Sequence, residues 1–219
     1  MKNLQKLERE ANENLKIAAH EKEIIKKTKL EGQLIIKRAK ARERLIKKEL
    51  DLAEIREELA KAKKSLIKTK RIIKKENIFE ISEDELKKEE DYALFFENLA
   101  KIQTEIAEIN KEIAIIEKNI ASKRINFANE RKSLAILREN FAKKLFAYIK
   151  AVRSQFTKDK IAKMESEYMK EYELITNLKN KFVKIEDKIK TNENKLADLK
   201  MRLSTKLAKR EKVRHYRLV

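Results

Sequence analysis

Three arginines offer the clearest opening for chemistry in this chain. Arg124, Arg131 and Arg138 recur every seven residues, so on a helix they line one edge about 10.5 Å apart. Guanidiniums at that pitch can track a polyanion, with Phe127 and Phe141 beside them. The competing use is structural. Their stems cover apolar surface, and their heads pair with acids such as Glu171, Glu173 or Glu186 on a neighbouring helix. A second basic group stands near the C-terminus: Lys209, Arg210, Arg214 and Arg217, together with Lys206 and Lys212. Phe146 and Tyr148, in the run Leu145–Ile149, are the aromatic candidates for a partner contact, since aromatic anchors carry interface energy.

Catalytic chemistry is poorly supplied. One glycine, Gly32, cannot build a P-loop or a dinucleotide loop, both of which need several. No cysteine is present, which removes thiolate nucleophiles, thiolate metal sites and disulfides. His20 opens the run His20-Glu21-Lys22-Glu23-Ile24, which starts like a zinc-protease helix but lacks the second histidine. His215 lies 195 residues away among Arg214, Tyr216 and Arg217, and both histidines read as surface residues. No loop carries the acids and glycine of a calcium site. The expectation is a non-enzymatic chain with no cofactor and no metal.

The elements that would position these residues are long helices. Tyr92, Phe95, Leu99, Ile102, Ile106, Ile109, Ile113, Ile116 and Ile120 are spaced alternately three and four apart. That is an a/d heptad seam, with Tyr92, Leu99, Ile106, Ile113 and Ile120 at a, and it must pack along another helix. Beyond Ile120 the a positions continue as Phe127, Leu134, Phe141 and Tyr148, while Lys123, Glu130 and Lys144 interrupt d and the three arginines occupy e. The stripe thins and gains a basic edge.

The spacing divides the chain at two places. Residues 1–75 read as an N-terminal charged helical arm whose seam is Leu45, Leu52, Leu59, Leu66 and Ile73. Nearer the N-terminus the periodicity weakens, and Gly32 marks a soft point because glycine costs a helix about 1 kcal/mol relative to alanine. This part reads as free or partner-dependent. Residues 76–82 form a capped break: Ser82 and Glu85 make a capping box, with Ile81 set to staple onto Leu86. A central helix follows over 83–153, then a turn over 154–160 with Thr157 as its cap, then a C-terminal helix over 161–219 ending in the basic tail. That last helix carries Ile161, Tyr168, Ile175, Phe182, Ile189, Leu196 and Leu203 at a, with Asn192 at a d position.

The predicted fold is all-α: an elongated antiparallel coiled-coil rod of three long helices, up-down-up, each on the order of 100 Å long. Isoleucine at both a and d makes a parallel helical homo-oligomer the alternative. Composition agrees, with no proline and 42% charged residues leaving only narrow stripes to bury. The net charge of +19 is interrupted by residues 76–98, which hold two basic and nine acidic groups. The rod topology brings the basic tail back toward this acidic node. The first residues, Met1-Lys2-Asn3-Leu4-Gln5-Lys6, show no secretory signal, and the longest wholly apolar run is five residues, far short of the ~20 that span a bilayer. A cytoplasmic protein without membrane attachment is expected.

In general shape such a chain resembles the helical-hairpin stalks of rotary ATPases and of flagellar or type III export ATPases, although a third long helix departs from a two-helix hairpin. The resemblance implies a stalk, shaft or tether in a larger multiprotein assembly, with the aromatic ends and the basic tail touching acidic surfaces of its partners. The alternative reading of the charge is a packaging or condensing protein that binds nucleic acid non-specifically through Lys and Arg.

Overall fold

The computed structural model describes residues 2–76 and 78–215. Three helices account for nearly all of them: α1 (Lys2–Lys75), α2 (Glu83–Arg153) and α3 (Lys158–His215). No strand occurs among the described residues. The fold is all-α and the helices run up-down-up, as the heptads predict.

Each turn follows from its local chemistry. At the α1–α2 turn the Ile78 N–H donates to the Ile73 carbonyl at 3.2 Å, closing α1. Ser82 Oγ accepts from the Glu85 N–H at 3.1 Å, opening α2, and Glu83, Asp84 and Glu85 sit at the positive end of its dipole. Ile81 packs on the cluster of Ile67, Leu86 and Ala93, which is the staple expected from the sequence. At the α2–α3 turn the Phe156 N–H reaches the Ala151 carbonyl at 3.1 Å and the Gln155 N–H reaches Val152 at 3.2 Å. Gln155 has φ 54°. This is a Schellman closure with glutamine in the left-handed position that glycine usually takes, at a cost of roughly 1–2 kcal/mol. A chain without proline or a second glycine thus still turns. The Ile161 N–H bonds the Thr157 carbonyl, so α3 starts at Lys158, inside the stretch expected as turn.

The chain forms two compact units. In the first, Met1–Ile36 with Lys118–Glu193, the core is aromatic. Phe127, Leu134, Phe141, Leu145 and Ile149 of α2 meet Tyr168, Ile175 and Phe182 of α3. The Phe127 and Phe182 rings stand edge to face at 4.9 Å, and Phe141 and Tyr168 at 6.2 Å, a favoured arrangement of ring quadrupoles. Ala11 joins this core with Leu4 and Leu7 against it. The N-terminal part of α1, expected to be loosely held, is therefore packed. Its direction is antiparallel to α2, because Glu8 pairs with Arg153 and Lys22 with Glu139.

In the second unit, Lys37–Glu117 with Asn194–Val219, Ile109 and Ile113 of α2 pack on Leu199 of α3, flanked by Ile116, Leu196 and Leu203. The pairs Lys64–Glu97 and Lys70–Glu89 set α1 antiparallel to α2, and Lys206–Glu105 does the same for α3.

The seams of α2 and α3 match the sequence reading closely. Leu99, Ile102, Ile106, Ile109, Ile113 and Ile120 are buried, as are Tyr168, Ile175, Phe182 and Ile189. Three positions of the expected α2 seam are less covered: Phe95 and Ile116 are half-buried, and Tyr92 is 40% exposed, with Lys63 over its ring at 5.3 Å. The α1 seam is different from the expected one. Leu45 and Ile55 are 61% and 60% exposed, and Leu52, Leu59 and Leu66 are also open to solvent. The buried series lies one residue later, at Ala39, Ile46, Ala53, Ala60 and Ile67, continuing the phase of Ala11, Ala18, Ile25 and Gly32. On α2 a matching run of small residues is buried every seventh position: Ala93, Ala100, Ala107 and Ala114 in the second unit, Ala121, Ala128, Ala135 and Ala142 in the first. Small side chains at this period let two helix backbones come close. The choice of the larger leucines as the seam followed hydrophobicity, whereas packing here followed size.

Gly32 shows how close the approach is. A Cβ there would sit 2.7 Å from Ile125 Cγ1 and 3.4 Å from the Ala121 carbonyl oxygen. It is a packing position, not a soft point. Gly32→Ala gains about 1 kcal/mol of helix propensity, but Ile125 must leave its rotamer, at roughly 0.5–1.5 kcal/mol. The expected net change in urea denaturation is near zero. In an Ile125→Ala background the same substitution should stabilise by about 1 kcal/mol. A full gain from Gly32→Ala alone would show that Ile125 does not oppose it.

Candidate interaction surface

Within the first unit the three arginines lie on the edge of α2, where they are used by its own neighbours. Arg124 donates to Glu193 of α3 at 2.5 Å, in a groove also lined by Glu31, Glu186 and Asp187. Arg131 stacks its guanidinium 5.4 Å from the Phe127 ring centroid. Arg138 is buried and donates to Asn14 Oδ1 of α1 at 3.0 Å. Nearby, Lys144 pairs with Glu171, and Lys181 with Glu130. The side chains placed together by the heptad are thus turned toward protein, with Arg138 closed to any polyanion. Phe146 and Tyr148 are half-buried against the aromatic core, and the Tyr148 ring lies 5.1 Å from that of Tyr168. Burial, and next the Glu165 carboxylate, push both phenols above their ordinary range.

In the second unit the acidic node is met by α1. Glu83, Glu89, Glu90 and Glu97 pair with Lys74, Lys70, Arg71 and Lys64. Hydrogen bonds from Lys64 and Lys101 hold the Glu97 carboxyl below the usual carboxylate range. Lys206 reaches Glu105, but Arg210 and Arg214 both turn to Glu211 of their own helix. Lys209 is exposed, and Arg217 lies outside the described residues.

A polar column runs beside the small-residue packing of this unit. Arg38 donates to Glu117 at 2.6 Å, Arg42 to Asn110 at 3.5 Å, and Arg56 to Gln103. Glu117 and Gln103 are buried. Burial lowers the Arg56 pKa, and Arg214 and Arg210 lower it further by repulsion. Comparison of the chain with protein-family models, with curated proteins and with solved structures found no match in any of the three. His20 and His215 are exposed, and no group of three or more His, Cys, Asp or Glu suited to a metal occurs among the described residues.

The most exposed aromatic among the described residues lies outside the candidates named from the sequence. Phe79 is 72% exposed on the α1–α2 turn, beside Ile78, at a shallow cleft lined by Lys74, Ile81, Ser82 and Glu85. Phe156 at the other turn is covered by the Lys160 ammonium 4.2 Å from its ring. No helix among the described residues is long and apolar enough to cross a membrane.

Proposed function

We propose that this chain is a non-enzymatic structural coiled-coil protein, a stalk, shaft or tether within a larger multiprotein assembly. The observation that supports it is the use of its charged groups. Ion pairs tie helix to helix in both units, at Lys22–Glu139, Lys144–Glu171 and Arg124–Glu193 in one, and at Arg38–Glu117, Lys64–Glu97 and Lys206–Glu105 in the other. Side chains that could do chemistry are spent on holding long helices in register. Phe79 and Ile78 are exposed apolar side chains at the α1–α2 turn, and an exposed aromatic flanked by aliphatic surface suits a protein partner. The basic excess favours partners with acidic surfaces, in the manner of the helical shafts of rotary or export ATPases.

The test is recovery of the tagged full chain from its native source. Stoichiometric co-purification of a different protein, lost on Phe79→Ala, is expected. A chain that emerges alone or only with copies of itself sinks the proposal. Steep loss of DNA or RNA affinity between low and physiological salt, with no protein partner, would favour the nucleic-acid reading instead.

A further inference from the structure

In the second unit one row of leucines stays open to solvent. Leu45, Leu52, Leu59 and Leu66 are exposed at exact seven-residue spacing, with Ile55 exposed between them. They lie about 100° round α1 from the buried series Ile46, Ala53, Ala60 and Ile67. Taking these leucines as a positions makes Ala41, Lys48, Ile55, Ala62 and Thr69 the d positions. A helix with two heptad stripes, one covered and one open, asks for a second helix.

The charges beside the open stripe say which helix. Its g positions are Arg44, Asp51 and Glu58, and its e positions are Glu49, Arg56 and Lys63. In a parallel pair of helices, each g residue faces the e residue five places later on the partner. Those pairs are Arg44 with Glu49, Asp51 with Arg56, and Glu58 with Lys63, all of opposite sign. An antiparallel pair centred on Leu52 and Ile55 instead sets Asp51 beside Glu58 and Lys63 beside Arg42 of the other copy, which repel, against one attractive pairing, Glu49 with Arg56. These same groups make few contacts of opposite charge at home: Lys63 rests over the Tyr92 ring, and Glu58 acts on Lys61 without forming an ion pair with it. Arg44, Glu49, Asp51, Glu58 and Lys63 form no ion pair with any described residue, and Glu49 Oε2 is buried without a hydrogen-bond donor. Arg56 bonds only the neutral amide of Gln103 and is crowded by Arg210 and Arg214, so a carboxylate beside it would relieve that repulsion.

We infer that this face of α1 is the interface of a parallel, in-register homodimer, Leu45 to Leu66 of one copy packing on Leu45 to Leu66 of the second. Two strands are favoured over three because a d layer of Lys48 would bring three ammonium groups together in a trimer. The inference stands independently of the stalk proposal: a tether can be single or paired, and a paired chain need not be a tether.

The mass of the full chain by light scattering or sedimentation tests it. A concentration-dependent species of twice 26.0 kDa is expected, over roughly 1 to 100 μM. Leu52→Glu with Leu59→Glu should weaken it at least about a hundredfold while helicity by circular dichroism is unchanged, both side chains being exposed. Glu58→Lys should weaken it by roughly tenfold at low salt, and Glu58→Lys with Lys63→Glu should restore it. Because the chain has no native cysteine, Leu66→Cys gives an unambiguous register. It cross-links in the parallel dimer, whereas the antiparallel one would hold the two sulfurs about 37 Å apart. A monomer throughout that range, a dimer indifferent to the leucine changes, or a dimer that Leu66→Cys cannot cross-link would each overturn the inference.

Discussion

Phe141→Ala should cost about 3–5 kcal/mol of stability, the largest loss expected from any single truncation in this chain. Phe141 is buried at the centre of the first unit's core, with Leu145 beside it on α2 and the rings of Tyr168 and Tyr172 at 6.2 and 5.9 Å on α3. Removing the ring loses its transfer energy and leaves a cavity between helices held in place by ion pairs on both sides. Those pairs, Lys144–Glu171 and Lys181–Glu130, limit how far the helices can collapse to fill it. The control is Phe79→Ala, an exposed site expected to move stability by no more than about 0.5 kcal/mol. Urea denaturation followed by far-ultraviolet circular dichroism, at fixed protein concentration, separates the two. A loss under about 1 kcal/mol for Phe141→Ala would mean that α2 and α3 repack freely there, and that the aromatic core is not what fixes their register.

The contrast between α1 and the other helices shows what a sequence discloses. On the α2–α3 seam the buried positions hold Ile, Leu, Phe and Tyr, so burial and hydrophobicity mark the same residues and that seam is legible. On α1 they diverge. The large residues Leu45, Leu52, Leu59 and Leu66 face out, and the small ones Ala39, Ala53 and Ala60 face in. Alanine is common on every face of a helix because of its propensity, so a single buried alanine carries no signal. The signal that existed was the period: eight alanines on α2 from Ala93 to Ala142, each seven apart. Gly32 falls in the α1 series for the same reason, and its contact with Ile125 explains it without reference to flexibility.

The candidate site was legible in placement and not in use. The heptad correctly sets Arg124, Arg131 and Arg138 on one edge of α2. It cannot say what lies opposite, because that depends on α1, whose buried face lies one residue on from its leucine heptad. A shift of one residue turns a helix by about 100°. That shift brings Asn14 to Arg138 and, in the second unit, Arg38 to Glu117. It also frees the leucine stripe, so the most hydrophobic heptad of α1 is the proposed dimer face.

The Arg38–Glu117 pair provides the second large effect, and it is asymmetric. The Glu117 side chain is 2% exposed and that of Arg38 is 61% exposed. Their contact is 2.6 Å, Arg42 stands 4.0 Å from the same oxygen, and Glu117 Oε2 has no hydrogen-bond partner among the described residues. Arg38→Met leaves a carboxylate in the packed interior with one remaining cation, Arg42 at 4.0 Å. Breaking a buried pair from that side costs about 3–5 kcal/mol where no other cation remains, and Arg42 reduces this to roughly 2–3 kcal/mol. Glu117→Met removes the buried charge instead and lets the Arg38 guanidinium return to water. It is expected to be neutral or stabilising by about 1 kcal/mol. The double substitution should then match Glu117→Met alone, because Arg38 has nothing left to neutralise. Urea denaturation of the three variants at one protein concentration reads all of these values. Equal losses from the two single changes would show that the pair holds α1 to α2 by net attraction. The expected asymmetry would show instead that the small-residue packing holds the helices together, while the buried carboxylate sets which face of α1 turns inward.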